Sequence, residues 1–247
     1  MRVRVSNPSS FAVVIQSLSE FLEEAGFVIT KEGLRVAGID PGRVSYVELF
    51  LPSAYFEEFN VDGEKEVLGF RLQELTDFLS RFTEEDSLII ESKESSVTLR
   101  YSGVFERAFK FQTIEAEVTE NRIALNYPFK AKLLTTVFSE VVSGMASLGD
   151  IVIFSSKENE LDVEVKGDMG RARVELRVDK GSLLEAEGEE TTSSHSIEYI
   201  DKTSKMRKAS DTMDLYIGKD LPCRLHFELP QGGYYDVYVA PRLEESS

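Results

Sequence analysis

The sequence predicts an α+β protein of two similar domains, each made of two helix-plus-antiparallel-strand units. Four segments carry apolar residues at helical spacing, and each is followed by three short strand-like runs. This pattern returns about every 60 residues, as an internal repeat does. The 247 residues accommodate two such domains.

Four helices are predicted from the apolar spacing. The first starts at Asn7 and Pro8, an N-cap residue followed by a proline suited to the first helical position. The fourth is the most weakly patterned. The apolar stripe of the first helix comprises Phe11, Val14, Ile15, Leu18 and Leu22. The predicted helical segments are 11–24, 70–82, 130–148 and 196–209.

Twelve runs carry strand character, three after each predicted helix. Most alternate apolar and polar residues, which is typical of antiparallel sheets with one buried face. Polar or glycine-containing turns separate them. The runs are 27–30, 33–38, 44–52, 87–92, 96–102, 107–114, 150–156, 160–167, 171–178, 213–218, 223–230 and 235–241.

The repeat divides the chain between its second and third helix-plus-strand units. Residues 115–127 lack sustained periodicity and precede a new helix, so they are predicted to connect the domains. The predicted organisation is an N-terminal domain at 1–114, a connector at 115–127 and a C-terminal domain at 128–247.

The charge balance limits how this protein can contact nucleic acid. The net charge of −16 argues against neutralising DNA phosphates over most of the surface. Four basic residues within positions 202–208 form the best local candidate for a phosphate-facing patch. The same cations also suit the C-terminal end of a helix, so a solvated helix face is the alternative.

Sequence motifs for catalysis are missing. There is no GxxxxGK[ST] loop and no GxSxG turn, and one cysteine with two histidines fits no structural zinc spacing. Asp162, Glu164 and Asp168 lie close together and are expected at solvent-facing strand positions. The sequence predicts a protein without catalytic residues, metal site or cofactor. A carboxylate-based hydrolase and a ligand-binding β-rich protein are the alternatives from other classes.

Three sequence motifs lie in order along the chain. They are GLRVAGIDPGRVSYVELFLP at 33–52, LNYPFKAKLL at 125–134 and YVAPRLEE at 238–245. Together they resemble the PCNA family of DNA sliding clamps over essentially the whole chain. The resemblance implies a soluble, intracellular, non-enzymatic trimeric ring, with helices lining a central hole and antiparallel sheets outside.

The resemblance also implies the ring's task and partners. Duplex DNA would pass through the hole and be held by topology with weak contacts. A clamp loader would place the ring, which would then tether DNA polymerase, flap endonuclease and DNA ligase as a processivity factor in replication and repair.

A pocket for partner peptides is implied beneath the domain connector. In the family, a short helical turn with aromatic anchors enters this pocket, a mode in which a few apolar contacts carry most of the affinity. The residues that match the pocket are Ile39, Ile123, Leu125, Pro222, Tyr238, Ala240, Pro241 and Arg242.

Family members usually place basic residues on the helices that face DNA. The first predicted helix departs from this pattern, because it has no lysine or arginine between positions 11 and 24. The expected DNA-facing residues are Arg71, Arg81, Lys130, Lys132, Lys202, Lys205, Arg207 and Lys208.

Subunits of the family join by pairing edge strands of neighbouring subunits, here expected at 107–114 and 173–180. Pairing would remove two exposed edges that otherwise invite aggregation. Both strands are rather basic, which weakens pairing between identical copies and favours an acidic partner strand. The expected interface residues are Arg107, Lys110, Phe111, Arg173, Glu175 and Arg177.

A homotrimer and a heterotrimer with sister clamp subunits both remain open. The absence of lysine and arginine from the first helix favours the heterotrimer, in which the subunits share the DNA-facing charge. A checkpoint-type clamp is the alternative within the same fold, and the matches at Ile39, Pro222 and Tyr238 argue against it.

Overall fold

The computed structural model describes residues 1–81, 87–103, 106–120, 122–167 and 170–242. The chain forms two compact units. The first unit comprises Met1–Pro41, Val47–Asn121 and Leu229–Tyr235. The second unit comprises Gly42–Tyr46, Arg122–Glu228 and Asp236–Ser247. Within the described ranges, no helix is both long and apolar enough to cross a membrane.

All four predicted helices are present, and each is shorter than predicted. The predicted cap of the first is confirmed, because the Asn7 side chain accepts a hydrogen bond from the Ser10 amide at 2.9 Å. The helices are α1 (Pro8–Ser19), α2 (Leu72–Leu79), α3 (Thr135–Met145) and α4 (Ile197–Asp201). A 3-10 helix, Lys202–Lys208, continues directly from α4.

The first helix ends earlier than its apolar stripe suggests. Leu22 is buried as predicted but lies beyond the helix end. Glu20, Glu23 and Glu24 follow the last turn, where negative charge opposes the helix dipole. Phe82, predicted on the apolar stripe of the second helix, lies outside the described residues.

Eighteen strands occur in the described ranges, and each of the twelve predicted runs overlaps one of them. None of the other six was predicted, and several of them are short or polar. The strands are β1 (Arg2–Val5), β2 (Glu24–Thr30), β3 (Gly33–Ile39), β4 (Ser45–Pro52), β5 (Phe56–Asn60), β6 (Lys65–Arg71), β7 (Ser87–Lys93), β8 (Ser96–Ser102), β9 (Glu106–Gln112), β10 (Phe129–Leu134), β11 (Ile151–Lys157), β12 (Glu160–Gly167), β13 (Gly170–Arg177), β14 (Glu185–Gly188), β15 (Thr192–Ser196), β16 (Thr212–Ile217), β17 (Cys223–Leu229) and β18 (Gly233–Val239).

Both units follow one element order: strand, helix, five strands, helix, three strands. In the first unit, a five-stranded sheet has the order β5-β1-β7-β8-β9, and other strands follow the order β4-β3-β2-β6. In the second, a four-stranded sheet has the order β13-β12-β11-β15, and other strands follow the order β14-β10-β16-β17-β18. The neighbouring strands pair antiparallel, as the alternation predicted.

The helices bury their apolar stripes in the core of each unit. Phe11, Val14, Ile15 and Leu18 of α1 are at most 2% exposed, which confirms this part of the predicted stripe. Burying one side chain of this size stabilises the fold by roughly 1.5–3 kcal/mol. The opposite face of α1 is left for polar and small residues.

The prediction that the third helix begins at residue 130 is wrong. Phe129–Leu134 forms β10 because its residues alternate between buried and outward positions, and it pairs with β16. Lys130 and Lys132 therefore point out from a sheet. Their ammonium groups bind Asp214 at 3.1 Å and Glu228 at 2.6 Å.

The first part of the predicted connector is seated on a pair of glycines. Gly26 of β2 lies opposite Gly69 of β6. The Ile114 amide donates a 3.0 Å hydrogen bond to the Gly69 carbonyl. A Cβ at Gly69 would lie 2.1 Å from the Ile114 oxygen, and one at Gly26 would lie 2.9 Å from the side chain of Val118. The missing side chains thus let this segment approach the sheet closely.

Two cations hold the next part of the same segment. The Arg35 guanidinium donates to the Thr119 carbonyl at 2.9 Å, and Lys65 binds Glu120 at 2.8 Å. Arg35 also binds Glu48, which is 3% exposed, at 3.0 Å.

We expect Gly69→Ala to displace the segment 114–118, because the added methyl group collides with backbone rather than with a flexible side chain. The free energy of unfolding should fall by about 1–3 kcal/mol, the usual cost of overpacking. Chemical denaturation, with hydrogen exchange at the Ile114 amide, measures both effects. Gly63→Ala is the control, since a Cβ there meets no atom within 4 Å. Equal stability and exchange in the two variants would contradict this account of the glycine pair.

Candidate functional site

An arginine sandwiched between two tyrosines organises the outward face of the second unit. The Arg224 guanidinium carbon lies 5.0 Å from the ring centre of Tyr216 and 5.8 Å from that of Tyr238. Both distances suit cation–π attraction. The strand period brings Arg224 and His226 of β17 to one face.

Asp236 of β18 joins these side chains. It accepts hydrogen bonds from Arg224 at 3.1 and 2.9 Å and lies 2.7 Å from His226 Nδ1. Asp236 is only 3% exposed, so these partners replace the hydrogen bonds that water would make to its carboxylate. Removing Arg224 would leave that carboxylate buried without its main counter-ion, a costly arrangement.

A third tyrosine ties the end of the predicted connector to the same block. The Tyr127 hydroxyl donates a 2.9 Å hydrogen bond to the Pro222 carbonyl. Its ring lies 5.6 Å from the ring of Tyr216. Burial raises the pKa of Tyr127, so the phenol keeps the proton that it donates.

The C-terminal segment is held by backbone and side-chain contacts within the second unit. The Ala240 amide donates to the Val44 carbonyl at 2.8 Å, and the Arg242 amide donates to the Ser194 carbonyl at 2.7 Å. His195 is fully buried, and its Nδ1 lies 3.1 Å from the Ala240 carbonyl. Burial lowers the pKa of His195 to about 4, so the ring is neutral at pH 7 and its Nδ1–H donates to that carbonyl.

The structure places seven of the eight expected pocket residues in the second unit. Pro222, Tyr238, Ala240, Pro241 and Arg242 belong to the tyrosine–arginine block or to the C-terminal segment beside it. Ile123 and Leu125 lie on the chain that leads to Tyr127, and Leu125 is 38% exposed. Ile39 belongs to the first unit, ends β3 and is 57% exposed.

Sequence reasoning missed the side chains that hold this block together. The alternation in β17 could have indicated that Arg224 and His226 share a face, since its spacing is regular. No sequence signal identified the aspartate that binds them or the tyrosines around them. The missed residues are Tyr127, His195, Tyr216, Arg224 and Asp236.

The basic segment after α4 is a 3-10 helix rather than a continuation of the predicted α-helix. Arg207 and Lys208 are exposed, whereas Lys202 and Lys205 are half-buried. Lys202 lies 4.2 Å from the ring centre of Tyr199 and 3.7 Å from Glu198. Arg207 and Lys208 are thus the most accessible cations of the predicted patch.

The other expected DNA-facing residues differ in their surroundings. Arg71 caps α2 and contacts Glu24 at 3.4 Å and Glu74 at 3.5 Å. Arg81 is exposed after the end of α2. Lys130 and Lys132 lie on β10 in the ion pairs described above, not on a helix.

Both strands expected at the subunit interface lie at the end of a sheet. β9 ends the five-stranded sheet of the first unit, and β13 ends the four-stranded sheet of the second. Arg107 lies 5.7 Å from the Tyr101 ring centre, and Lys110 is exposed. Phe111, the next residue, points to the face of the strand opposite to that of Lys110, and its ring lies 5.7 Å from that of Phe78.

The basic residues of β13 are largely neutralised by β12. Arg171 binds Glu164, Arg173 binds Asp162 at 2.7 Å, and Arg177 binds Glu160 at 2.8 Å. The expectation that Asp162 and Glu164 face solvent is therefore wrong, because these arginines cover them. The third member of that cluster, Asp168, lies outside the described residues.

Arg173 also contacts Glu175 at 3.4 Å on its own strand.

In the ranges that the structure describes, no group of three or more potential metal ligands comes together.

Family models match both halves of the chain. The model of the N-terminal domain of proliferating cell nuclear antigen matches residues 1–126, and the model of its C-terminal domain matches residues 121–242.

Characterised relatives match over their full length. The chain is 46% identical over 245 residues to DNA polymerase sliding clamp 2 of Saccharolobus solfataricus, covering 99% of this chain and 100% of that protein. It is 40% identical over 247 residues to DNA polymerase sliding clamp 3 of Sulfurisphaera tokodaii, with the same coverage.

A solved structure agrees with these matches. A chain from the crystal structure of a PCNA2–PCNA3 complex from Sulfolobus tokodaii superposes with a TM-score of 0.94 at 39% identity, covering 98% of this chain and 99% of that one. Because models, relatives and structure all match from end to end, the chain belongs to the proliferating cell nuclear antigen family and has its two-domain clamp fold.

Proposed function

We propose that this chain is one subunit of a sliding clamp, a ring that encircles duplex DNA and tethers replication and repair enzymes without catalysing a reaction itself. The observation that carries the proposal is the repeated unit that leaves β9 and β13 at sheet ends. Two identically ordered units leave β9 at one sheet end and β13 at another. Strands with opposite vacant edges can join subunits head to tail, and such contacts close into rings.

A closed ring explains the acidic composition. A protein that holds DNA by topology needs few phosphate contacts, and few contacts permit sliding. Polymerase, flap endonuclease and DNA ligase then act at a high effective concentration on the DNA that the ring encircles. Loading requires a clamp loader, and the ring works inside the cell wherever DNA is copied.

The ring is proposed to be a hetero-oligomer with sister clamp subunits. The similarity to a chain from a PCNA2–PCNA3 complex supports this. So does the composition of α1, which contributes no basic residue to a DNA-facing surface. A domain division at 1–114, 115–127 and 128–247 is retained, and the two family models, which meet near residue 121, support it.

Arg71, Arg81 and the cations of 202–208 are the proposed DNA contacts of this subunit. Lys130 and Lys132 are poorer candidates, because Asp214 and Glu228 already hold their ammonium groups.

The pocket for partner peptides is proposed at the tyrosine–arginine block and the C-terminal segment. Tyr238 and the backbone of residues 240–242 supply a rigid wall, because they are held from behind by Arg224, Tyr46 and His195. Leu125 supplies an exposed apolar contact from the chain that precedes Tyr127. Rigid apolar walls with a few exposed anchors are typical of peptide sites whose affinity depends on few residues.

Leu125→Ala is expected to weaken a partner peptide that carries an aromatic-anchored helical turn by about fivefold or more, the scale of one anchor contact. Calorimetric titration measures the affinity. Leu148→Ala is the matched control, since Leu148 is 42% exposed and lies outside the proposed pocket. Equal peptide affinities for the two variants would remove Leu125 from the pocket.

Arg207→Ala with Lys208→Ala should weaken the hold of the assembled ring on DNA and reduce its stimulation of a polymerase. Each lost phosphate contact reduces the steepness with which log affinity falls with log salt by about 0.9. Lys31→Ala with Lys93→Ala is the control, because it removes the same charge from exposed turn positions. If the two double variants show the same salt slope, the 3-10 segment is a solvated face.

A further inference from the structure

We propose that Lys110 prevents this chain from pairing with a second copy of itself, because the shared pairing register would set Lys110 opposite Arg173 of that copy. The β9 edge is then occupied by a sister clamp subunit. At the position equivalent to Arg173, opposite Lys110, that subunit carries an acidic or neutral residue. The inference rests on the proposed ring. It adds the register in which β9 and β13 of neighbouring subunits pair, and a residue that selects the neighbouring subunit.

The first half of each unit repeats with a constant offset. α1 begins at Pro8 and α3 begins 127 positions later, at Thr135. β3 begins at Gly33 and β12 begins 127 positions later, at Glu160. The two hairpins therefore turn at equivalent residues.

The same offset extends to the strands that follow. Residues 47–49 of β4 and 174–176 of β13 both read VEL, again 127 positions apart. Tyr46, which precedes the first motif, is therefore equivalent to Arg173, which precedes the second.

In each unit, the chain that follows the last strand makes an equivalent backbone hydrogen bond. After β9, the Ile114 amide donates to the Gly69 carbonyl at 3.0 Å, and after β18, the Arg242 amide donates to the Ser194 carbonyl at 2.7 Å. Gly69 and Ser194 each precede the first residue of the next helix by three positions. Ile114 and Arg242 are therefore equivalent.

Counting back four positions makes Lys110 of β9 equivalent to Tyr238 of β18. Residues 44–46 and 238–240, all in the second unit, show how such edges pair. The Ala240 amide donates to the Val44 carbonyl at 2.8 Å, and two positions along each strand the rings of Tyr46 and Tyr238 lie 5.7 Å apart. Tyr46 and Tyr238 are thus facing residues of this pairing.

A β9–β13 junction built on the same pattern replaces each tyrosine by its equivalent. Arg173 of one subunit then faces Lys110 of the next. Like charges directly opposite on neighbouring strands destabilise the pair. In a closed ring of identical subunits, the repulsion would be repeated at every junction.

The surrounding charges modulate this repulsion without removing it. Asp162 and Glu175 hold Arg173, whereas the structure shows no ion pair for Lys110 within its described ranges. Four residues further along, Arg177 would face Glu106, which is attractive. Arg177 is already held by Glu160 and by Asp179, however, so this gain is reduced.

Light scattering of the purified chain, without DNA or partners, tests the proposal. The natural chain should be monomeric at micromolar concentration, and Lys110→Glu should raise its self-association constant by about tenfold or more. Added salt should strengthen association of the natural chain, because it screens repulsion. Lys93→Glu is the control, with the same charge change on an exposed residue away from the β9 edge.

The double variant Lys110→Glu with Arg173→Gln tests the register. Glutamine can still donate to Asp162, but the cation opposite residue 110 is gone, so the gain in self-association should be lost. Retention of the gain would show that residue 110 faces another residue and would overturn the register.

Three further results would overturn the proposal. They are a natural chain that forms a stable trimer of about 83 kDa, three times its 27.8 kDa, a Lys110→Glu variant that stays monomeric, and an equal gain from Lys93→Glu. A trimer of the natural chain would leave the proposed clamp intact. Failure to assemble with any clamp subunit would count against the ring itself.

Discussion

An unpaired sheet edge is the constraint on which the rest of this structure depends. Every edge strand exposes a row of N–H and C=O groups that must find partners or be protected. Each unit contains two half-units, each made of a helix and the three strands that follow it. The half-units end in β4, β9, β13 and β18, strands that all have such an edge. Within the second unit, residues 44–46 and 238–240 satisfy each other, whereas β9 and β13 are left at sheet ends. Assembly is therefore the completion of a pairing that the chain already performs once.

The same repeat explains where the sequence is free to vary. The buried stripes of the helices and the inward strand positions are fixed by packing in every half-unit, but the outward positions at equivalent sites differ in kind. Tyr46 and Tyr238 face each other within the second unit, and two cations occupy the equivalent places on β9 and β13. Equivalent positions of the repeat can thus carry an apolar contact in one place and a charge in another.

Much of this architecture could be predicted from sequence because period and spacing report burial directly. The alternation of Glu160–Gly167 predicted a strand, and the spacing of Phe11 to Leu18 predicted a buried helix face. Lys130 and Lys132 were misassigned because a short strand running into a helix shares its apolar residues with the helical pattern. The block around Arg224 could not be predicted, because its contacts join residues distant in sequence, and only the pairing of β17 with β18 brings Asp236 to Arg224 and His226. The polar strands β14 and β15 lack the apolar alternation by which the twelve predicted strands were recognised.

Hydrogen exchange of the backbone amides of β9 and β13 tests the central claim most directly. It is measured on the chain alone and after assembly with sister clamp subunits, with β7 and β11 as references because they are already paired on both sides. The account predicts that exchange slows along β9 and β13 on assembly and stays unchanged along β7 and β11. Unchanged exchange at both edges in an assembled complex would contradict it.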